Sequence, residues 1–159
     1  RDYEKSIEKS IRPDIQADFW NGDPDIDAVC RMIYRPECEF QKKIFPFTSK
    51  KFSPFNSQNT FIAKEVLPYY FMFPHIGRMD DIWASYYVES KKFEVIYSEP
   101  SVYQERNVHD LTVDMKKEYI GYENNVKLLE ELSLNSENIC NFLPEKSKKA
   151  FDLYRRYFD

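Results

Sequence analysis

Apolar positions recur along this chain at two periods, and its elements follow from them. Tyr3, Ile7 and Ile11 stand at i, i+4 and i+8 within residues 1–12, one helical stripe that Pro13 stops or redirects. After Phe19-Trp20, the pair Asn21-Gly22 marks a turn. Asp23-Pro24 then opens a short helix over 24–33, because aspartate is a favoured N-cap and proline a favoured first helical residue. Asp25 and Asp27 fall in its first turn, where the helix dipole favours negative charge, and Ile26, Val29, Cys30 and Ile33 supply a buried face. Residues 34–54 hold no sustained period. Phe40, Ile44, Phe45, Phe47 and Phe52 form short strands or an aromatic loop there, broken by Pro36, Pro46 and Pro54.

Phe61-Ile62-Ala63 reads as a short strand and Lys64-Glu65-Val66-Leu67 as a helical turn ended by Pro68. The apolar block Tyr69-Tyr70-Phe71-Met72-Phe73 follows. Ile82, Trp83, Tyr86 and Tyr87 share one face of a helix that starts at Asp80-Asp81 and runs to Lys91. Phe93, Val95 and Tyr97 alternate with Glu94 and Ile96, a strand of about five residues ended by Glu99-Pro100, with 98–109 as a polar loop. Leu111, Met115, Tyr119, Tyr122, Val126 and Leu129 lie on one face of a long amphipathic helix, weakened at Gly121. A last helix over 144–157 puts Ala150, Phe151, Tyr154 and Phe158 on one side. Helices therefore dominate an α/β chain with a small mixed sheet, and there is no internal repeat.

Composition narrows this picture. The 159 residues fit one domain, and 17% aromatic residues supply ample bulk for a core. Charged residues make up 31% and mean hydropathy is −0.67, so that core carries a well-solvated surface. A net charge of −4 argues against nucleic acid as a partner, since phosphate-backbone binding relies on clustered Lys and Arg. The basic doublets of this chain are scattered and interrupted by acids. Cys30, Cys38 and Cys140 have no metal-type spacing and read as free thiols of a reducing, cytoplasmic compartment. No apolar run approaches the ~18–20 residues of a membrane span, and residues 1–5 do not form a signal peptide. Starting at Arg1 and entering structure at once, the chain reads as one domain or an excised piece of a longer protein.

Four constellations could carry chemistry. Asp80 and Asp81 point in different directions on a helix, because successive residues differ by ~100°. One can cap the first turn while the other, facing a cleft, takes a proton from a hydroxyl; both can equally be cap and dipole complement. Arg78 and Trp83, in the same stretch, are candidate substrate contacts, although Trp83 and Tyr86 also suit packing. Asp25-Ile26-Asp27 has the form DxD, which can present oxygens to Mn²⁺ or Mg²⁺ beside a diphosphate, yet the helix start explains it without a metal. Asn56, Gln58 and Asn59 form an amide-rich turn able to hydrogen-bond sugar hydroxyls. Arg106 could meet a phosphate, and Glu105 and His109, in the same loop, are weak metal candidates. The chain lacks GxGxxG, P-loop, GxSxG and HExxH motifs.

Several of these stretches together resemble a known family. Gly77-Arg78-Met79-Asp80-Asp81-Ile82-Trp83-Ala84 is similar to the G-R-Y-D-D-M-W-A-G stretch of the reversibly glycosylated polypeptides, the plant UDP-arabinopyranose mutases. Pro24-Asp25-Ile26-Asp27-Ala28 resembles their P-D-x-D-A, and Val113-Asp114-Met115-Lys116-Lys117-Glu118-Tyr119-Ile120-Gly121 their N-L-K-K-E-Y-K-G. Phe55-Asn56-Ser57-Gln58-Asn59-Thr60 resembles the F-N-T-Q-N-T of the STELLO-type glycosyltransferase-like proteins. Order and rough spacing agree across residues 19–122, with 123–159 as a helical extension.

The resemblance implies the C-terminal, acceptor-side half of a GT-A (Rossmann-like) glycosyltransferase fold. A nucleotide-binding half carrying a metal DxD would precede Arg1, and this chain alone would be inactive. The whole enzyme would use Mn²⁺ or Mg²⁺, a nucleotide-sugar donor and a carbohydrate or other hydroxyl acceptor, with Asp80 or Asp81 as base. Asp25-Ile26-Asp27 falls after the place of the metal motif, and Gln104-Glu105 stands where the plant family has the histidine of its W-H-S stretch. A nucleotide-sugar mutase and a non-catalytic carbohydrate-binding module remain alternatives. Oligomeric state is open.

Overall fold

A computed structural model describes residues 12–41 and 44–158, together with the backbone of 3–5. The chain folds as a mixed α/β unit around one small sheet. Its strands are β1 (Tyr3–Lys5), β2 (Ile15–Gly22), β3 (Phe47–Ser49), β4 (Thr60–Ile62) and β5 (Val95–Gln104), in the spatial order β1-β3-β5-β2-β4. The two long strands β2 and β5 lie side by side and parallel, and every other neighbouring pair is antiparallel. The helices are α1 (Ala28–Ile33), α2 (Asp80–Ser90), α3 (Leu111–Leu134) and α4 (Glu145–Arg155). Short 3₁₀ turns stand at Lys64–Val66, Gly77–Met79 and Ser136–Asn141.

β2 alternates as a half-covered strand should. Ile15 and Ala17 point inward and meet Val95 and Tyr97 of β5, Val88 of α2, and Phe55, Ala63 and Val66 from the connecting segments. A second cluster lies between helices, where Trp83, Ala84 and Tyr87 of α2 pack against Leu128 and Leu132 of α3 and Phe151 of α4. α2 serves both clusters, so Trp83 to Val88 are buried without a break. The expected single apolar face is thus a helix buried all round, as its position between sheet and helices demands. The segment 123–159 supplies Leu128, Leu132, Ile139, Leu143 and Phe151 to the same core as Trp83.

Several elements differ from their sequence expectation. Tyr3, read as part of a helical stripe, lies in a strand paired with β3, while Ile7 and Ile11 fall outside the described residues. The first short helix starts at Ala28, not Pro24, and Asp27 caps it by accepting from the Cys30 N–H at 2.9 Å. Residues 23–26 are a loop because Asp23 is engaged elsewhere, in a 2.7 Å ion pair with Arg31. The buried residues of α1 are accordingly Ala28 and Arg31, and Ile33 is 83% exposed.

β5 runs through Pro100 instead of ending there. Its pairing with β2 steps from Asp18↔Ser98 to Trp20↔Val102, so β5 carries two extra residues in that interval. Proline belongs at such an irregularity because it has no N–H to give the ladder. Asn59 fills the gap, donating from Nδ2 to the Phe19 carbonyl at 3.2 Å and to Ser101 Oγ at 2.9 Å.

On α3 the buried positions are Glu118, Gly121, Leu128 and Leu132. Tyr119, Tyr122 and Val126, expected inside, are 57%, 44% and 74% exposed. The inward face of this stretch is polar or small: Glu118 makes hydrogen bonds, Asn125 accepts from the Trp83 indole, and Met79 packs on Gly121. A hydrophobicity count therefore selects the wrong side of the helix there.

Candidate functional site

β2 and β5 end together, with Gly22 opposite Gln104, and the loops that follow them meet. Loops beyond the carboxyl ends of adjacent parallel strands are where open α/β sheets bind ligands. The strand ends are locked close. Gly22 has φ +93°, and a Cβ there would collide with the Gln104 carbonyl. The Asp23 N–H donates to that same carbonyl at 3.0 Å.

Beyond the strands, Arg106 reaches across from the β5 side to Asp25 Oδ1 at 2.7 Å. Asp25 Oδ2 in turn accepts from Asn56 Nδ2 at 3.1 Å. The next residue, Ser57, donates both its N–H and its hydroxyl to Asp81 Oδ2, at 2.9 and 3.1 Å. Asp81 is the second residue of α2, and Asp80 Oδ1 accepts the Asp81 N–H at 3.1 Å. The two aspartates thus divide their tasks. Asp80 serves an amide at the helix start, and Asp81 faces the 53–57 segment.

Burial pushes the Asp81 carboxyl above the usual carboxylate range; the Ser57 bonds oppose this, and the nearby charges of Asp80 and Asp25 add to it. Tyr70 belongs to the same pocket of charge. Burial, then Asp81 and Asp80, push its phenol well above the usual range, and its buried hydroxyl has no hydrogen-bond partner.

A second set of bonds ties the surrounding motifs together. Glu118, 3% exposed, accepts from the Ala28 N–H at 2.8 Å and from the Tyr122 hydroxyl at 2.5 Å through Oε2. Its Oε1 takes Arg78 Nε at 3.1 Å. Arg78 also meets Asp114, which holds His109 Nδ1 at 3.0 Å. The Gly77–Met79 turn can approach α3 this closely because Gly77 has φ +66° and a Cβ there would strike the Lys117 carbonyl.

The candidates from sequence therefore fall into two groups. Asp81, Asn56, Asp25 and Arg106 are brought together, with Asp80 beside them. Gln58 is exposed, and Asn59 is occupied in joining β2 to β5. Trp83 is corrected as a substrate contact: it is fully buried, with its indole N–H on Asn125 Oδ1 at 2.8 Å. Arg78 holds Glu118 and Asp114 and does not line the cleft described below. Ser57, Tyr70 and Glu118 escaped the sequence reading. Ser57 lay within the amide-rich turn, Tyr70 within an apolar block, and Glu118 within the stretch 113–121 that carries the resemblance, without a role of its own.

The residues proposed for a metal do not fit one. Asp25 is turned to Arg106 and Asn56, while Asp27 is turned to the Cys30 N–H and to the Tyr122 hydroxyl at 3.3 Å. His109 is taken by Asp114, and Glu105 is exposed. Among the described residues no three His, Cys, Asp or Glu side chains converge.

Against the inner face of the sheet, between it and the 53–57 segment, lies a cleft of about 270 Å³. Phe19, Trp20 and Phe40 contribute aromatic walls, and Asp25 and Asn56 stand at its polar side. Asp81 is joined to that wall through Ser57. Comparison of the sequence with models of known families and with curated proteins finds no match.

Proposed function

We propose that this chain is the acceptor-side half of a GT-A-like glycosyltransferase and that Asp81 is its general base. One observation carries the reading. Four stretches far apart in sequence, residues 24–28, 55–60, 77–84 and 113–121, bond directly to one another around the carboxyl ends of β2 and β5. These are the stretches that resemble the glycosyltransferase-like families, and their union supports a shared site over four unrelated caps and turns.

In this reading Ser57 fixes the Asp81 carboxylate through Oδ2, leaving Oδ1 to accept a proton. As the acceptor hydroxyl attacks the anomeric carbon of the donor, its O–H bond breaks toward Asp81 and the nucleoside diphosphate leaves from the opposite side. A carboxylate held above its ordinary range suits this work, because a stronger base takes the proton more readily as the new bond forms. Asp25 and Asn56 position the acceptor. Mn²⁺ or Mg²⁺, which would neutralise the leaving diphosphate, belongs to the nucleotide-binding half in this reading, since the residues here do not fit it.

No helix among the described residues is long and apolar enough to cross a membrane. The three cysteines are free thiols, which suits the reducing, cytoplasmic setting proposed for the enzyme.

The test is a product assay on the natural protein that carries this chain, supplied with UDP- and GDP-sugars, Mn²⁺ and a panel of hydroxyl acceptors. Glycosylated acceptor is the expected product. Isomerised sugar nucleotide without transfer would replace this reading by a mutase, and absence of any donor turnover would replace it by a carbohydrate-binding module.

A further inference from the structure

The lining of the cleft has a charge character that limits what can enter it. Among the described residues, every side chain on its wall is apolar, aromatic, neutral-polar or acidic, and none is Lys, Arg or His. The lining residues that carry charge are Asp18, whose carboxylate is held by Gln16 Nε2 at 2.8 Å, and Asp25. The nearest guanidinium, Arg106, is engaged by Asp25 at 2.7 Å and by Asp23 at 3.7 Å and does not line the cleft. A diphosphate placed here would find no cation among the lining residues, and the nearby guanidinium is already taken by Asp25, so nothing in the cleft offsets its charge.

What the wall does offer is apolar area and acceptors. Phe19 packs among Phe40, Phe47 and Tyr97, with ring centroids 4.8 to 6.0 Å apart, which makes the aromatic surface a preformed wall. Asp25 has two hydrogen bonds in place, whereas an ionised carboxylate has about four acceptor sites, so it can still take hydroxyl donors. The amide of Asn56 is held at a fixed angle by Asp25 and by the Gln58 N–H at 3.2 Å. A volume of about 270 Å³ lies just under the ~300–1,000 Å³ of typical small-molecule sites, room for a single ring and too little for a sugar nucleotide.

We propose that this cleft is the subsite for one uncharged sugar ring of the acceptor, seated with its C–H face on the aromatic wall and its hydroxyls on Asp25 and Asn56, and that it excludes the nucleotide diphosphate. The inference rests on the glycosyltransferase reading and names the acceptor class for that same site.

The molecule carries its own reporter. Trp20 lines the cleft, with its indole N–H on the Asp23 carbonyl at 3.1 Å, while Trp83 is buried in the helical core. The two indole N–H signals of ¹⁵N-labelled chain are followed by NMR during titration with neutral methyl pyranosides and, separately, with UDP. The expected result is a saturable shift of the Trp20 signal with a pyranoside, at a Kd on the order of millimolar as befits so small a ligand. Trp83 stays still, UDP has no effect, and Asn56→Ala weakens the pyranoside about ten-fold. An unmoved Trp83 signal in the variant shows that its fold is intact. A Trp20 shift with UDP would overturn the inference by placing the donor here, while leaving glycosyl transfer in force. No shift with any pyranoside would overturn it as well, and glycosyl transfer would still be decided independently by the product assay.

Discussion

Asp80 and Asp81 are neighbours with different surroundings, and the difference can be measured. Asp80 and Asp25 both help hold the Asp81 carboxyl above its usual range by like-charge repulsion. Removing either charge therefore lets Asp81 ionise at lower pH. Asp80→Asn is expected to keep activity and move the acid limb of the kcat/KM–pH profile downward. The sign is fixed: the base must be ionised to work, so a lower pKa extends activity toward acid. An unmoved limb would take Asp81 out of the role of titrating base. Asparagine at position 80 still offers an oxygen to the Asp81 N–H, so the helix start is kept.

At the scale of elements, α2 grips one segment twice. Asp81, in its first turn, holds the Ser57 N–H, and Glu89, near its end, holds the Ser53 N–H at 2.8 Å. The 53–57 segment between them forms a wall of the cleft. Burial pushes the Glu89 carboxyl from 4.5 up to about 8, against the smaller, opposing effect of the Ser53 bond. Between those two values the folded protein holds a proton that the unfolded chain has released. Stability is therefore greatest below about pH 4.5, as far as this group is concerned, and falls as pH rises through about 8. Glu89→Gln keeps an acceptor for Ser53 and removes the titration. Its melting temperature is expected to exceed that of the wild type above about pH 8, with the difference vanishing toward acid. Equal pH dependence in both proteins would show that Glu89 is not held protonated.

The faces of α3 make a second elemental test. Leu128→Ala removes a fully buried side chain and is expected to cost about 2–5 kcal/mol in denaturant unfolding, while Val126→Ala, at 74% exposure, is expected to stay within about 0.5 kcal/mol. Similar losses would restore the amphipathic stripe read from sequence.

That stripe shows where sequence legibility ended. The short apolar run at Phe61-Ile62 marked the strand at 60–62 to within a residue, and period located α2, α3 and α4, because each buries apolar surface against the core. It misplaced the inner face of α3, where Glu118, Gly121 and Asn125 occupy core positions by hydrogen bonding and smallness. It ended β5 at Pro100, because a bulge that accommodates a proline leaves no local signature. It gave the N-cap of α1 to Asp23, which an arginine eight residues on had already claimed. Within the site, Asp81 and Asn56 were legible from a carboxylate pair and an amide-rich turn. Ser57, Tyr70 and Glu118 were not, since their roles depend on partners tens of residues away.

For the whole molecule, the organising feature is the parallel pair β2–β5, with the four linked stretches around its carboxyl ends and the cleft against its inner face. Glu118 joins α1, the Gly77–Met79 turn and α3 from one side, and Asp25, Asn56, Ser57 and Asp81 run across the other. Buried charge of this kind is costly unless it is fully partnered, so the network ties the fold to its site. Asp81 is the residue on which the proposed transfer depends. In the natural protein carrying this chain, Asp81→Asn and Asp80→Asn are compared for transfer from the nucleotide sugar that the wild type uses. Asn keeps an acceptor for Ser57, so the fold survives while the base is lost. The expected result is a fall in kcat of about 10²–10⁴-fold for Asp81→Asn with donor KM unchanged, against near wild-type turnover for Asp80→Asn at neutral pH. Full turnover in Asp81→Asn would contradict the account.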